Sequence, residues 1–198
     1  MIGDTPELVV LDAKAWRVWL GRHHANSNGT FLVLAKKGTV SPTSLTYAVA
    51  LEEALCFGWI DGQARSRDEH TFRQRFTPRR RRSVWSKRNT GLAERLQGEG
   101  RMHPAGVAEM ERAKADGRWE AAYAGPATIE VPRELVVALS AKPKAKAMFA
   151  TLNSQNRYAI LYRIANAKRA DTRARRIERF VDMLGRGDTI YPQKLASK

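Results

Sequence analysis

The side chains that could do chemistry are packed most densely in two stretches, FGWIDGQ at residues 57–63 and RQRFTPRRRRSVWSKRN at residues 73–89. Trp59, Asp61, Gln63, Arg73, Arg75, Thr77, Arg79, Trp85, Ser86 and Asn89 there combine aromatic faces, guanidinium groups, one carboxylate and small polar groups. Arginine forks pair bidentately with phosphate or carboxylate, and tryptophan faces stack on planar rings or on guanidinium itself. The combination suits holding an anionic ligand. Asp61 could also serve as an acid/base group, with Arg75 and Arg79 holding developing negative charge.

Several of these residues have a plainer role beside the functional one. Trp59 and Trp85 are of the type that dominates core packing. Asp61 precedes Gly62, and Asp-Gly is a common turn dipeptide. The run Arg79 to Arg82 reads as a solvated loop, Ser86 as a helix cap, and Asn89 as a first-turn residue of that helix. No P-loop, dinucleotide-binding glycine pattern or HExxH is present, and His70 and His103 stand alone among the four histidines. Cys56, the single cysteine, excludes an internal disulfide and a thiolate zinc site. It ends an apolar helical stretch, where burial makes a thiol inert. No metal and no cofactor is expected.

The elements that must position these residues can be read from hydrophobic periodicity. Leu8 to Leu11 reads as a short buried strand, followed by Asp12 as the cap of a helix that places Trp16, Trp19 and Leu20 on one face. His23 and His24 read as exposed polar residues of the following loop. FLVLAKK reads as a central strand. A helix with Tyr47, Leu51, Ala54 and Leu55 on one side, Thr46 as its cap and Gly58 as its stop comes next. WIDGQARSRDEHTFRQRF has the form of a hairpin, and two helices follow, one capped by Ser86 and one starting at Pro104 and closed by Gly117. YAGPATIEVP, with two prolines and a glycine, reads as a linker. Beyond it Leu135, Leu139, Phe149, Tyr158, Leu161, Tyr162, Ile177, Phe180 and Leu184 keep helical spacing as packing faces. The fold class is therefore α+β: residues 1–125 form a domain with a mixed sheet, helices and the central hairpin, and residues 126–198 a small basic helical region.

Composition bounds the partners. The 198 residues include 35 Lys and Arg against 20 Asp and Glu, a net charge of +15, which attracts polyanions. A hydrophobic content of 43% is enough for a packed core and argues against wholesale disorder. No run approaches the roughly 20 apolar residues of a membrane span, so no membrane insertion is expected. The opening MIGDTPELVV does not look like a signal peptide, and the cytoplasm is the expected location.

Four blocks taken in order, LEEALCFGWIDGQ, RFTPRRRRSVWSKRN, GRMHPAGVAEMERAKADGRW and AKRADTRARRIERFVDML, resemble the YdeI/OmpD-associated family, also called bacteriocin-protection proteins. The likeness runs from about Trp16 to Gly187. It implies a part in stress or resistance to antibacterial agents and an association with an outer-membrane porin, and it brings no catalytic residues to carry over. His103 stands at a helix cap where the family pattern often has Thr. Lys168, Thr172, Arg173, Arg176 and Ile177 match its last block; Arg173 could add a basic wall to the site, or the helix could simply show its charges to water and Ile177 to the core. Three functions follow as expectations: a stress- or resistance-related binding protein for an anionic small molecule or nucleic acid, an enzyme using Asp61 with Arg75 and Arg79, and a module docking on an acidic protein partner.

Overall fold

A computed structural model describes residues 7–193; the opening MIGDTP, part of the stretch read as unlike a signal peptide, lies outside them. The chain divides into two compact units, Met1–Ala122 and Tyr123–Lys198.

The first unit is a four-stranded mixed sheet with helices. Its strands are β1 (Glu7–Leu8), β2 (Thr30–Ala35), β3 (Trp59–Ser66) and β4 (Thr71–Pro78), in the order β1-β2-β4-β3. β1 runs parallel to β2, and the other pairs are antiparallel. The six residues of β2, TFLVLA, are all buried, as a continuous apolar run in a central strand requires. Helix α1 (Ala13–His23) starts where Asp12 accepts a hydrogen bond from the Ala15 amide at 2.9 Å, and buries Trp16 and Leu20. Helix α2 (Tyr47–Cys56) ends at Gly58, whose φ of +73° lies in the left-handed region that glycine enters freely. Helix α3 (Lys87–Gly98) is capped by Ser86, which accepts from the Asn89 amide at 3.2 Å. Helix α4 (Pro104–Ala115) starts with His103 accepting from the Ala105 amide.

The β3–β4 turn is built on Asp68. Its carboxylate accepts from the amides of His70 and Thr71, from the Thr71 hydroxyl and from Arg67, and these bonds hold its pKa well below the usual carboxylate range.

Four local expectations are corrected. The strand read at Leu8–Leu11 is only Glu7–Leu8; Val9 and Leu11 are 44% and 67% exposed, because the chain leaves the sheet edge and the Leu11 carbonyl turns to accept from Ser44. The Thr46 side chain makes no capping bond to α2. His23 and His24 are half-buried rather than exposed: the His23 ring lies 4.7 Å from that of Trp19, and His24 packs on Phe57 and His103. Asp61 is not a turn residue but lies inside β3, at the start of a bulge.

The second unit packs α5 (Arg133–Ser140), α6 (Pro143–Ala150), α7 (Ser154–Ala165) and α8 (Ala170–Gly185) around Leu135, Leu139, Phe149, Ile160, Ile164 and Phe180. Here the expected packing face of α7 is shifted. Ile160, Leu161 and Ile164 enter the core, whereas Tyr158 and Tyr162 stay half-buried beside it.

Candidate functional site

The hairpin sorts its residues by the period-2 alternation of its strands. On β4, Phe72, Gln74 and Phe76 pair with Ser66, Ala64 and Asp61 of β3, and with Leu34, Leu32 and Thr30 of β2. This is the helix-covered face, since Leu32, Leu34 and Phe76 join Trp16, Leu51 and Leu55 in the main core. The residues between them turn to the opposite face. Arg73 and Arg75 there pair with Val33 and Phe31 of β2, Arg65 of β3 lies opposite Arg73, and Thr77 lies opposite Ile60.

The result is a row of arginines on one sheet face. The Arg65 guanidinium stands 4.7 Å from the centre of the Phe31 ring, a cation–π contact. Arg73 reaches Glu7 at 3.5 Å and the Ser66 carbonyl at 3.4 Å. Among the described residues Glu7 is the only carboxylate that pairs with this row, and it also holds Arg67 at 3.0 Å. The Nε groups of Arg73 and Arg75 are buried without a hydrogen-bond partner among the described residues. Gly62 and Gln63 form the bulge opposite Arg75; the Gly62 carbonyl accepts from Gln74 at 2.7 Å, and Gln63 is exposed.

The remaining motif residues lie elsewhere. Trp59 and Trp85 are each 1% exposed, so their faces meet protein groups: Trp59 lies edge-on to Trp16 and Trp19 and donates to the His24 carbonyl, and Trp85 carries the Arg79 guanidinium 3.5 Å from its ring centre. Arg79 is buried and donates to the Val84 carbonyl at 3.1 Å, so the solvated-loop reading holds for the exposed Arg80, Arg81 and Arg82 but fails at Arg79. Ser86 and Asn89 are engaged in starting α3. Arg173 belongs to the second unit, where it pairs with Glu134 at 3.3 Å, and Ile177 on the same helix is in the core.

Asp61 points toward α2 and accepts from the Tyr47 hydroxyl at 2.9 Å. Burial, and then the Asp61 charge, push the Tyr47 phenol up to about 12, while Arg88, 5.5 Å from the Tyr47 ring centre, opposes them. Asp61 therefore faces the helices, Arg75 faces the other way, and Arg79 is stacked on Trp85. The three groups that an acid/base site on this hairpin would need do not converge. Cys56 is fully buried, and that burial pushes its thiol pKa up, the opposite of what a nucleophile needs. No cluster of three metal-ligating side chains occurs among the described residues.

Sequence reasoning missed Arg65, although its position opposite Arg73 follows from the hairpin register once the turn is placed at Asp68. It also missed a cleft in the second unit lined by tyrosines. The available signal was that four of the five tyrosines, Tyr123, Tyr158, Tyr162 and Tyr191, fall after residue 122.

Comparison with known proteins gives two family matches. Residues 8–109 match the model of a domain of unknown function, DUF8412, and residues 128–187 match the family described as Bacteriocin-protection, YdeI or OmpD-Associated. No curated protein and no solved structure matches the chain. The YdeI/OmpD likeness, read from the sequence over Trp16–Gly187, is thereby narrowed to the second unit. Of the four motif blocks, the first two lie within the DUF8412 match and the last within the YdeI/OmpD match. The chain belongs to the DUF8412 family, whose model covers just over half of it, and joins to that domain a C-terminal segment of the YdeI/OmpD-associated, bacteriocin-protection family.

Proposed function

We propose that the protein is a cytoplasmic, stress- or resistance-related binding protein that takes a phosphate- or carboxylate-bearing ligand on the arginine face of its sheet. The observation that carries this reading is the row Arg65, Arg73 and Arg75, three guanidinium groups on one face with Glu7 their only acidic partner among the described residues. Arginines set on adjacent paired strands are held at fixed spacing, which suits bidentate contact with oxyanions better than the same charges on a loop. The net charge of +15 adds a long-range field that draws anions toward the protein. The protective role rests on the family likeness alone, and the cytoplasm on the single cysteine, which fits a reducing compartment.

The test is titration of the full chain with pyrophosphate, citrate and a short single-stranded oligonucleotide, repeated with Arg75→Ala and with the exposed-loop variant Arg80→Ala. Arg75→Ala weakens the bound anion by about tenfold or more, the scale of one lost charge-assisted pair, and Arg80→Ala leaves it nearly unchanged. If the oligonucleotide is the ligand, affinity also falls by about 0.7 log unit per log salt for each phosphate neutralised. Equal effects of the two substitutions would remove the arginine face as the site.

A further inference from the structure

The second unit contains a cleft of about 500 Å³ that the arginine face does not share, lined by Tyr158, Tyr162, Tyr191, Ser154, Gln155 and Arg163 among others. Its volume lies within the roughly 300–1,000 Å³ of sites that take small organic molecules. The walls are held in place. The Tyr158 and Tyr162 rings meet at 5.5 Å, Tyr123 closes edge-on against Tyr162 at 5.3 Å, and the Tyr158 hydroxyl reaches the Ala124 carbonyl at 3.4 Å.

The opposite wall is fastened by one buried amide. Asn156 is fully buried, yet its side chain serves the chain segment that carries Tyr191: it accepts from the Tyr191 amide at 2.8 Å and donates to the Tyr191 carbonyl at 3.0 Å and to Gln193 at 3.0 Å. Satisfying both ends of a buried amide against one backbone residue fixes that residue's position closely. Tyr191 itself remains 39% exposed, so the clamp does not serve to bury its ring. At one side of the cleft stands Arg163, exposed, with Nη1 turned back to its own helix at the Ala159 carbonyl and no carboxylate pairing with it among the described residues. Burial and the neighbouring tyrosines push the Tyr158 phenol up to about 12, so its hydroxyl stays neutral and repels no anion at neutral pH.

We infer that this cleft is a second ligand site, taking a planar aromatic molecule that bears one acidic group, with the ring against Tyr158 and Tyr162 and the acid paired to Arg163. Tyrosine faces give a flat ring stacking area at small conformational cost, and a guanidinium gives the acid a bidentate partner. The acidic aromatic can be an aryl carboxylate or a nucleotide, in which the ring is a base and the acid a phosphate.

The test is calorimetric titration of the full chain carrying Arg75→Ala, so that the sheet face does not contribute, with salicylate and with adenosine monophosphate. Benzyl alcohol, a ring without an acid, and inorganic phosphate, an acid without a ring, serve as controls. Binding by salicylate or the nucleotide, with both controls at least about tenfold weaker, supports the site and names the source of the acid. Arg163→Gln, an exposed change that leaves the helical core untouched, weakens that ligand by about tenfold, as does Tyr162→Leu. Arg80→Ala, in an exposed loop of the first unit, leaves it unchanged. Binding of neither acid, phosphate binding as well as the nucleotide, or full affinity in Arg163→Gln and Tyr162→Leu together would each overturn the inference.

Discussion

A single methyl group tests how α4 is seated against the turn that leads into β3. Gly106 lies in α4 with its backbone on the Cys56 carbonyl: a Cβ there would stand 2.2 Å from the oxygen, 2.8 Å from the carbonyl carbon and 2.8 Å from the Met102 terminal methyl. Ordinary C···O contact is about 3.3 Å, so Gly106→Ala forces α4 and the turn apart by about 1 Å. The strained or displaced packing costs about 1–3 kcal/mol. The same shift weakens the hydrogen bond from the His103 amide to the Cys56 carbonyl, now 3.0 Å, a loss of about 1 kcal/mol. Alanine returns about 1 kcal/mol through its better helix propensity, leaving a net destabilisation of about 1–3 kcal/mol. Gly91, on the exposed side of α3, has nothing within 4 Å of its would-be Cβ. The same substitution there stabilises by about 0.5–1 kcal/mol. All five tryptophans, Trp16, Trp19, Trp59, Trp85 and Trp119, lie in the first unit, so urea unfolding followed by tryptophan fluorescence reports that unit alone. Opposite shifts of the two midpoints are expected. A Gly106→Ala protein that unfolds at the wild-type concentration or above would refute the close approach of α4 to Cys56.

Two further outcomes follow from a half-buried and a buried polar group of the first unit. The Tyr47 phenol has its pKa raised from about 10 in the unfolded chain to about 12 in the fold, so its proton contributes stability that is complete below pH about 10 and lost as pH rises toward 12; between those values the urea midpoint of the wild type should fall more steeply than that of Tyr47→Phe, and parallel curves would count against the half-buried phenol bonded to Asp61. Arg79→Lys keeps the charge but not the flat stack on Trp85 or the bond to Val84, and should cost about 1–3 kcal/mol by the same fluorescence, whereas Arg80→Lys stays within about 0.5 kcal/mol; equal values for the two would place Arg79 in solvent.

What the sequence made legible is what depends on nearest neighbours and on period. Asp12 and Ser86 are caps because an oxygen two or three bonds from Cα reaches amides three residues on, and both act so. FLVLA is a central strand because only a strand buried on both faces tolerates an unbroken apolar run. The hairpin was legible too, with its polar turn between two strand-like stretches. What stayed hidden is the face on which each residue of the motif block falls. A strand alternates sides at every residue, so Asp61 and Arg75, close together in the hairpin, end on opposite faces, and one bulge at Gly62–Gln63 is enough to unsettle the count. Arg79 shows a second limit. In a run of four arginines nothing local distinguishes the one that is buried; Trp85, six residues on, does so by offering its ring. The tyrosine cleft shows a third, because Tyr158 and Tyr162 keep the same helical spacing as the core residues beside them, and distant contacts, among them the buried Asn156 reaching 35 positions along the chain to Tyr191, turn that side of α7 into the wall of a cleft. A motif block dense in reactive residue types therefore sorts into roles by strand register and by distant partners: here Trp59, Trp85 and Arg79 enter the packing, Asp61 holds Tyr47, and the arginines left together on the other face carry the binding proposal.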